Sequence, residues 1–336
     1  MNICSKNLLN PCNLWQKEID LEQIFTMTMN EIKIFCPATI ANLNCGFDVL
    51  GLCLEGIGDE MIFRKTSQKG ITITKITGAD LPLETNKNVA GVAALAIYNT
   101  INPDFGIEIE IHKKIKAGSG IGSSSASAAG AVFGVNELLG KPYTKNQLVD
   151  FAMKGEAVAS GSEHADNVAP CLLGGFTLVR GYNPLDVIRI DSPSELFAVV
   201  LHPHIEVKTS DSRAVLKPEI SLKSAITQWG NLGGFIAGLY TKDYNLLGRS
   251  LQDVVIEPLR KHLIPNFDLV KNSALQNGAL GAGISGAGPS IFALCKGQET
   301  AEKVAYAMSN SYQETGIEFD MHISKINPDG VTEIKN

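Results

Sequence analysis

Alternating apolar and polar positions mark four strands in the first third of the chain, at residues 32–36, 61–65, 71–76 and 107–112. In the last of these, Ile107, Ile109 and Ile111 share one face while Glu108, Glu110 and His112 share the other. That pattern predicts one packed and one solvated side, and it makes His112 a solvated strand residue. Helical spacing takes over at 89–101 and again at 123–139, where Gly140 and Pro142 end it. Thr144 with Gln147 three residues on has the form of a capping box and predicts a third helix to about Ser160. After Gly174 and Gly175 the pattern returns to strands at 176–180, 187–190 and 196–201. Helical stretches follow at 210–216, 221–240 and 244–252, then a Gly-rich turn at 278–290. A strand at 291–295, a helix at 300–314 and a strand at 320–325 close the chain. Strands and helices mixed without strict strand–helix–strand alternation predict an α+β architecture.

Composition narrows the class. The 336 residues correspond to about two domains, and 44% hydrophobic against 19% charged residues suffices for a packed core. A net charge of −6 supplies no general basic field for nucleic acid. The longest apolar stretch, near 232–240, is far shorter than the ~18–20 residues of a membrane span. Seven cysteines, an odd number without a CxxC pair, disfavour both a zinc site and a secreted disulfide framework. A cytoplasmic enzyme is the class that remains. Residues 1–28 have neither the apolar centre nor the cleavage site of a signal peptide. Patterned chain starts just after Met27 and Met29, so this leader reads as an upstream extension dispensable for activity and for the melting temperature.

The chemistry concentrates where glycine does. From Ala117 to Ala131, 14 of 15 residues are Gly, Ser or Ala. A strand precedes this run and an apolar helical stretch follows it, so it reads as a loop entering a helix N-terminus. Such a loop binds phosphate: glycine lets the backbone approach, successive N–H groups converge on the anion, and the helix dipole adds positive potential. The alternative is that small residues let the helix pack closely. Ser119, Ser123, Ser124 and Ser125 add hydroxyls, and Lys113, Lys114 and Lys116 add positive charge. No Lys follows the last glycine as a Walker A loop requires, and the third glycine of a Rossmann fingerprint is missing.

Lys116-Ala117-Gly118-Ser119-Gly120-Ile121-Gly122-Ser123-Ser124-Ser125-Ala126 resembles the phosphate loop of the GHMP kinase superfamily. Cys36-Pro37-Ala38-Thr39-Ile40-Ala41-Asn42-Leu43-Asn44-Cys45-Gly46-Phe47-Asp48 is similar to the N-terminal segment of its homoserine kinase branch. Ile284-Ser285-Gly286-Ala287-Gly288-Pro289-Ser290 resembles the C-terminal Gly-rich motif. Glu156, the stretch His164 to Pro170, and Ile256 to Arg260 agree with the same branch. Ile40 stands where that branch often has Ser, and Asn44 where it usually has Gly; Asn tolerates a positive φ better than most residues.

The resemblance implies a two-domain fold, with a ribosomal protein S5 domain 2-like N-terminal domain at 29–185 and a ferredoxin-like C-terminal domain at 186–336. It implies ATP and Mg²⁺, a homodimer, and homoserine as the alcohol. Arg213 and Arg260 would clamp the carboxylate, Asn42 and Asp48 would receive the ammonium, and His164 and Asn167 would line the hydroxyl end. Ser124 and Glu156 would share the metal, with adenine near Lys87 and Asn88. Asn167 would orient the hydroxyl with no dedicated general base, although Asp166 is its neighbour. The alternatives are a kinase for another alcohol, shikimate- or mevalonate-like, and a silent relative that senses a metabolite.

Overall fold

The computed structural model describes residues 29–161 and 163–335; the leader at 1–28 lies outside the described residues. Seven strands form the first sheet. Its backbone is β1 (Glu31–Ala41), β2 (Leu50–Thr66), β3 (Gly70–Thr77) and β4 (Gly106–His112). β3 and β4 run parallel because α1 (Val89–Ile101) carries the chain across between them, whereas β1–β2 and β2–β4 are antiparallel. α2 (Ser123–Leu138), α3 (Lys145–Ser160) and α4 (Val168–Leu173) complete the helical layer, and β5 (Phe176–Tyr182) and β6 (Leu185–Ile190) extend the sheet from β2. The capping box at Thr144 and Gln147 is present as read from the sequence.

A second, four-stranded sheet follows. It contains β7 (Leu196–Pro203), β8 (Gly281–Ile284), β9 (Ile291–Lys296) and β10 (Phe319–Lys325) in the order β10-β7-β9-β8. All of its pairs are antiparallel, the 4-1-3-2 order of a ferredoxin-like domain. Between β7 and β8 lie α5 (Thr209–Ala214), α6 (Leu222–Thr241), α7 (Tyr244–Ser250), α8 (Glu257–Arg260) and α9 (Phe267–Gln276); α10 (Gln298–Gln313) joins β9 to β10. β7 is buried on both faces. Leu196, Ala198 and Val200 join the first core, while Phe197, Val199 and Leu201 join the core beneath α9 and α10. One strand thus serves two cores, which is why it reads as a continuous apolar run.

The expected division at 185/186 falls inside a hairpin, because β6 pairs with β5 in the first sheet. The sheets part instead between Ile190 and Leu196, and a last short strand, β11 (Thr332–Glu333), returns to pair with β1. No helix among the described residues is long and apolar enough to cross a membrane.

The Gly/Ser/Ala run divides into a loop and the first turns of α2. Its first residues form the loop. Its remainder lets α2 lie close on the sheet, since a Cβ at Gly130 would come within 2.3 Å of Cys36 Sγ; Gly134, just past the run, does the same, with a Cβ there 2.3 Å from the Phe63 ring.

Candidate functional site

The loop 117–122 enters α2 through three glycines of positive φ, Gly118, Gly120 and Gly122. Two of them are also fixed by close approach. A Cβ at Gly122 would meet Thr39 Oγ1 at 2.1 Å, and one at Gly120 would meet the Gly288 carbonyl oxygen at 2.6 Å. The second Gly-rich turn buttresses the first: Ser285 Oγ donates to the Gly120 carbonyl at 2.7 Å, and Ser290 Oγ to the Ser119 carbonyl at 2.6 Å. Beneath them Asp59 accepts the N–H groups of Lys114 and Ile115 and pairs with buried Lys113. Lys113 in turn donates to the Ser123 carbonyl at 2.8 Å and to Ser127 Oγ at 3.1 Å, tying the end of β4 to the start of α2.

The three lysines before the loop therefore do not form one free set of charges facing phosphate. Lys113 is held by Asp59, Lys114 by Glu60, and Lys116 Nζ lies 2.9 Å from His204 Nε2 and 3.4 Å from Asp320. His202, His204 and Asp320 form a cluster whose neighbouring cation is that lysine.

A cavity of about 560 Å³ opens over the loop. Its wall includes Ala117, Gly118, Ser119, Gly120, Gly122, Ser123, Ser124 and Ser125 together with Gly286 and Gly288. Lys87, Asn88 and Lys208 also line it, and nothing in the sequence marks Lys208. Lys116, Ile121 and Ala126 are not in its lining; Ile121 and Ala126 are buried in the core instead. The Asn88 side chain caps α1 by accepting from the Ala90 N–H and donates to the Pro82 carbonyl, so it builds the wall with its own hydrogen bonds engaged.

Glu156 projects from α3 toward the first turn of α2, where Ser124 Oγ and Ser125 Oγ donate to its two oxygens at 2.9 and 3.0 Å. It is 9% exposed, and burial raises its pKa. Asn167, at the start of α4, accepts a 2.7 Å hydrogen bond from Thr39 Oγ1. This leaves its amide NH2 as the donor for a group in the cavity. Thr39 lies within the motif quoted above, but nothing in the sequence marked it as the residue that orients Asn167.

Asn167, Glu156, Thr209, Gly286 and Ala287 also border a smaller cavity of about 80 Å³. Here the structure brings together residues far apart in sequence. Asp48 and Arg213 form a two-pronged pair, at 2.9 and 3.2 Å, with His164 Nε2 2.9 Å from the same guanidinium. Arg213 and Arg260 both lie over the Phe47 ring, 5.6 and 4.9 Å from its centroid. Arg260 is 3% exposed and donates to the Ser212 and Gly286 carbonyls; burial first, and then Arg213, lower its pKa to about 10. Burial also lowers the pKa of His164. Among the described residues Arg213 Nε is buried without a hydrogen-bond partner, a donor available to a bound anion.

Asn42 also lines this smaller cavity, and it supports the loop as well. Its Oδ1 accepts the Asp48 N–H at 3.0 Å and its Nδ2 donates to the Gly286 carbonyl at 2.8 Å, so it holds the turn that carries Asp48. Asn42, Leu43 and Asn44 all have positive φ, and Asn44 does occupy the left-handed region at 59°.

Asp166 lines the smaller cavity, and burial, then the charges of Asp48 and Glu156, raise its pKa to about 7. An unfolded Asp ionises near pH 4. Between those values the folded chain holds a proton that the unfolded chain has lost, so this residue's contribution to stability falls as pH rises. Asp166→Asn is expected to flatten that slope, raising the urea midpoint relative to the unmodified chain more at pH 8 than at pH 4.5. Equal differences at the two pH values would contradict the assignment.

The family model described as the GHMP kinases N terminal domain matches residues 88–175, and that for the GHMP kinases C terminal matches 235–314. The chain is 46% identical over 316 residues to a homoserine kinase of Chlorobium phaeobacteroides, covering 90% of this chain and 99% of that protein. It superposes on the crystal structure of homoserine kinase from Cytophaga hutchinsonii with a TM-score of 0.88 and 48% identity, covering 91% of this chain and 98% of the other. The L. major mevalonate kinase in complex with R-mevalonate shares the fold at a TM-score of 0.67 and 15% identity, over 88% and 96% of the two chains.

Proposed function

Because the chain belongs to the homoserine kinases of the GHMP kinase family, we propose that it transfers the γ-phosphoryl group of ATP to the side-chain hydroxyl of L-homoserine, forming O-phospho-L-homoserine. The observation that carries this reading is the Asp48–Arg213 pair in a small cavity that shares Asn167 and Glu156 with the phosphate-loop cavity. A zwitterion laid against that pair meets a carboxylate for its ammonium and a guanidinium for its carboxylate. Arg213 Nε and Arg260 supply further cationic donors to the carboxylate end.

With the amino-acid end held there, Asn167 is placed to donate to the hydroxyl. The loop N–H groups at the start of α2 receive the phosphates of ATP, and Lys87 and Lys208 add positive charge at the sides of the same cavity. Ser124 and Glu156 offer oxygen donors of the kind Mg²⁺ takes, next to where the phosphates lie. Such an ion neutralises phosphate charge that grows as the phosphoryl group departs. Phosphoryl transfer passes through a loose transition state, so positioning and electrostatics dominate and no dedicated base is required.

Asn167→Ala is expected to lower kcat about 10²-fold with little change in the KM for ATP, the cost of losing one positioned donor. Equal loss in both parameters would point to a collapsed site instead. Asp166→Asn should retain turnover under the same assay. The direct test of the substrate is ADP release with ATP and, in turn, homoserine, mevalonate, shikimate or galactose. Release with homoserine alone supports the proposal; release with another alcohol alone, or with none, overturns it.

A further inference from the structure

We propose that His202, His204 and Asp320 form a binding site for a divalent transition-metal ion such as Zn²⁺ on the flank of the phosphate loop. None of the three lines the phosphate-loop cavity, so the site is distinct from Ser124 and Glu156 and does not rest on the catalytic reading.

Its placement follows from strand alternation. On β7, Leu196, Ala198 and Val200 join the first core; His202 and, just past the strand's end, His204 continue that row. Asp320 on β10 stands directly across from His202, and the His204 N–H donates to the Glu318 carbonyl at 2.8 Å. The apolar row thus runs out in two imidazoles and a carboxylate beside Lys116. Among the described residues they are the one trio of His, Cys, Asp or Glu side chains whose ligand atoms all lie within 4.8 Å of one another.

The separations suit a small tetrahedral ion. Bonds of about 2.1 Å to zinc hold neighbouring ligand atoms about 3.4 Å apart. Asp320 Oδ2 lies 3.5 Å from His202 Nδ1 and 2.9 Å from His204 Nε2. On its other side, His204 Nδ1 lies 3.6 Å from the Glu318 carboxylate, the kind of outer partner that orients a metal-bound histidine. His202 is buried, whereas His204 and Asp320 open to solvent and give the ion a way in. Two nitrogens and a carboxylate favour zinc, cobalt or nickel over Mg²⁺, which takes oxygen. The site needs none of the cysteines.

The surroundings of His204 Nε2 supply a second argument. This nitrogen is 2.9 Å from an oxygen of Asp320, whose ionised carboxylate only accepts, and 2.9 Å from Lys116 Nζ, which only donates. One ring nitrogen cannot donate to the first and accept from the second. A metal ion removes the conflict, because the lone pairs of Nε2 and the carboxylate then point at one cation. Lys116 already sets an ammonium against these two atoms, and its side chain is 55% exposed, with room to swing into water as the ion enters.

The test is titration of the untagged full chain with Co²⁺ in millimolar Mg²⁺, followed by visible absorption and reversed with Zn²⁺. One Co²⁺ should bind per chain, with the intense d–d bands of a four-coordinate ion and without a thiolate charge-transfer band. His204→Ala and Asp320→Asn should each weaken binding about 10²-fold with an unchanged circular dichroism spectrum. Lys116→Met should tighten binding about tenfold, because a positive charge beside the ion is gone, a gain that no folding defect would produce. Glu156→Gln should leave both the spectrum and the affinity unchanged. No binding by the full chain, binding that survives both ligand substitutions, or a thiolate band would each overturn the site. So would an affinity that Lys116→Met leaves unchanged or weakens. Loss of the spectrum in Glu156→Gln would also overturn it, by placing the ion beside Ser124. None of these outcomes bears on which alcohol is phosphorylated.

Discussion

Glu156→Gln is expected to lower kcat by about 10³-fold and to leave the fold intact, because it removes the carboxylate that balances cations beside the phosphates. Glutamine keeps the length of the side chain, and the Ser124 and Ser125 hydroxyls can rotate to meet its amide. The melting curve should therefore change little, and could rise, since Glu156 is buried with its ionised form disfavoured. Steady-state rates measured across a Mg²⁺ titration check the assignment. The variant should need more Mg²⁺ for half-maximal rate as well as turning over slowly. A kcat within tenfold of the unmodified chain, with an unshifted Mg²⁺ requirement, would remove Glu156 from the metal site.

Arg213→Met should raise the KM for homoserine by 10² or more with the KM for ATP unchanged. Loss of one member of a buried, hydrogen-bonded charge pair costs about 2–5 kcal/mol, much of it from the partner left behind; with the Arg213 and Asp48 side chains 33% and 28% exposed, water screens this pair and the cost falls toward the lower end. Here that partner is Asp48, whose two oxygens both face the guanidinium. Arg213→Lys should recover little, because a point charge cannot hold the two-pronged geometry to Asp48 and also reach His164 and a bound carboxylate. Initial-rate kinetics with each substrate varied in turn separate the outcomes. A rise in both KM values would mean that α5 itself had shifted, and no rise in either would place the carboxylate elsewhere.

The sequence spoke most clearly where the signal was local. α1 spans 89–101 as the helical spacing indicated, and the Thr144–Gln147 box opens α3, because caps and periodicity are written within a few residues. β8 was hidden inside the expected Gly-rich turn: Gly281-Ala282-Gly283-Ile284 has almost no side chains from which to read alternation. β2 was recognised only over its second half, since Gly51, Gly56 and Gly58 interrupt the first. α9 lies outside the expected helices, although Phe267, Val270 and Ala274 carry a helical spacing that marks it.

The site divides in the same way. The phosphate loop could be read directly, and the family resemblance brought Asp48, His164, Asn167, Arg213 and Arg260 forward as a group. What spacing could not show was their wiring. Thr39 orients Asn167 across 128 residues, and Asp59 holds Lys113 across 54. Lys208 reaches the cavity because β7 ends beside the loop, a consequence of sheet order that leaves no mark in the neighbouring residues. The same limit explains why spacing does not show that the Asn42 amide binds Asp48 and Gly286, or that the Lys116 ammonium turns to His204 and Asp320.

The central claim is that one phosphoryl group passes from ATP to the side-chain oxygen of homoserine. Two-dimensional ³¹P–¹H correlation of the products, taken during turnover, tests it at the bond that forms. A phosphomonoester resonance coupled to the side-chain methylene protons next to oxygen is expected, growing in step with ADP. ADP accompanied only by inorganic phosphate, or phosphorus coupled to no carbon-bound proton of the amino acid, would contradict it.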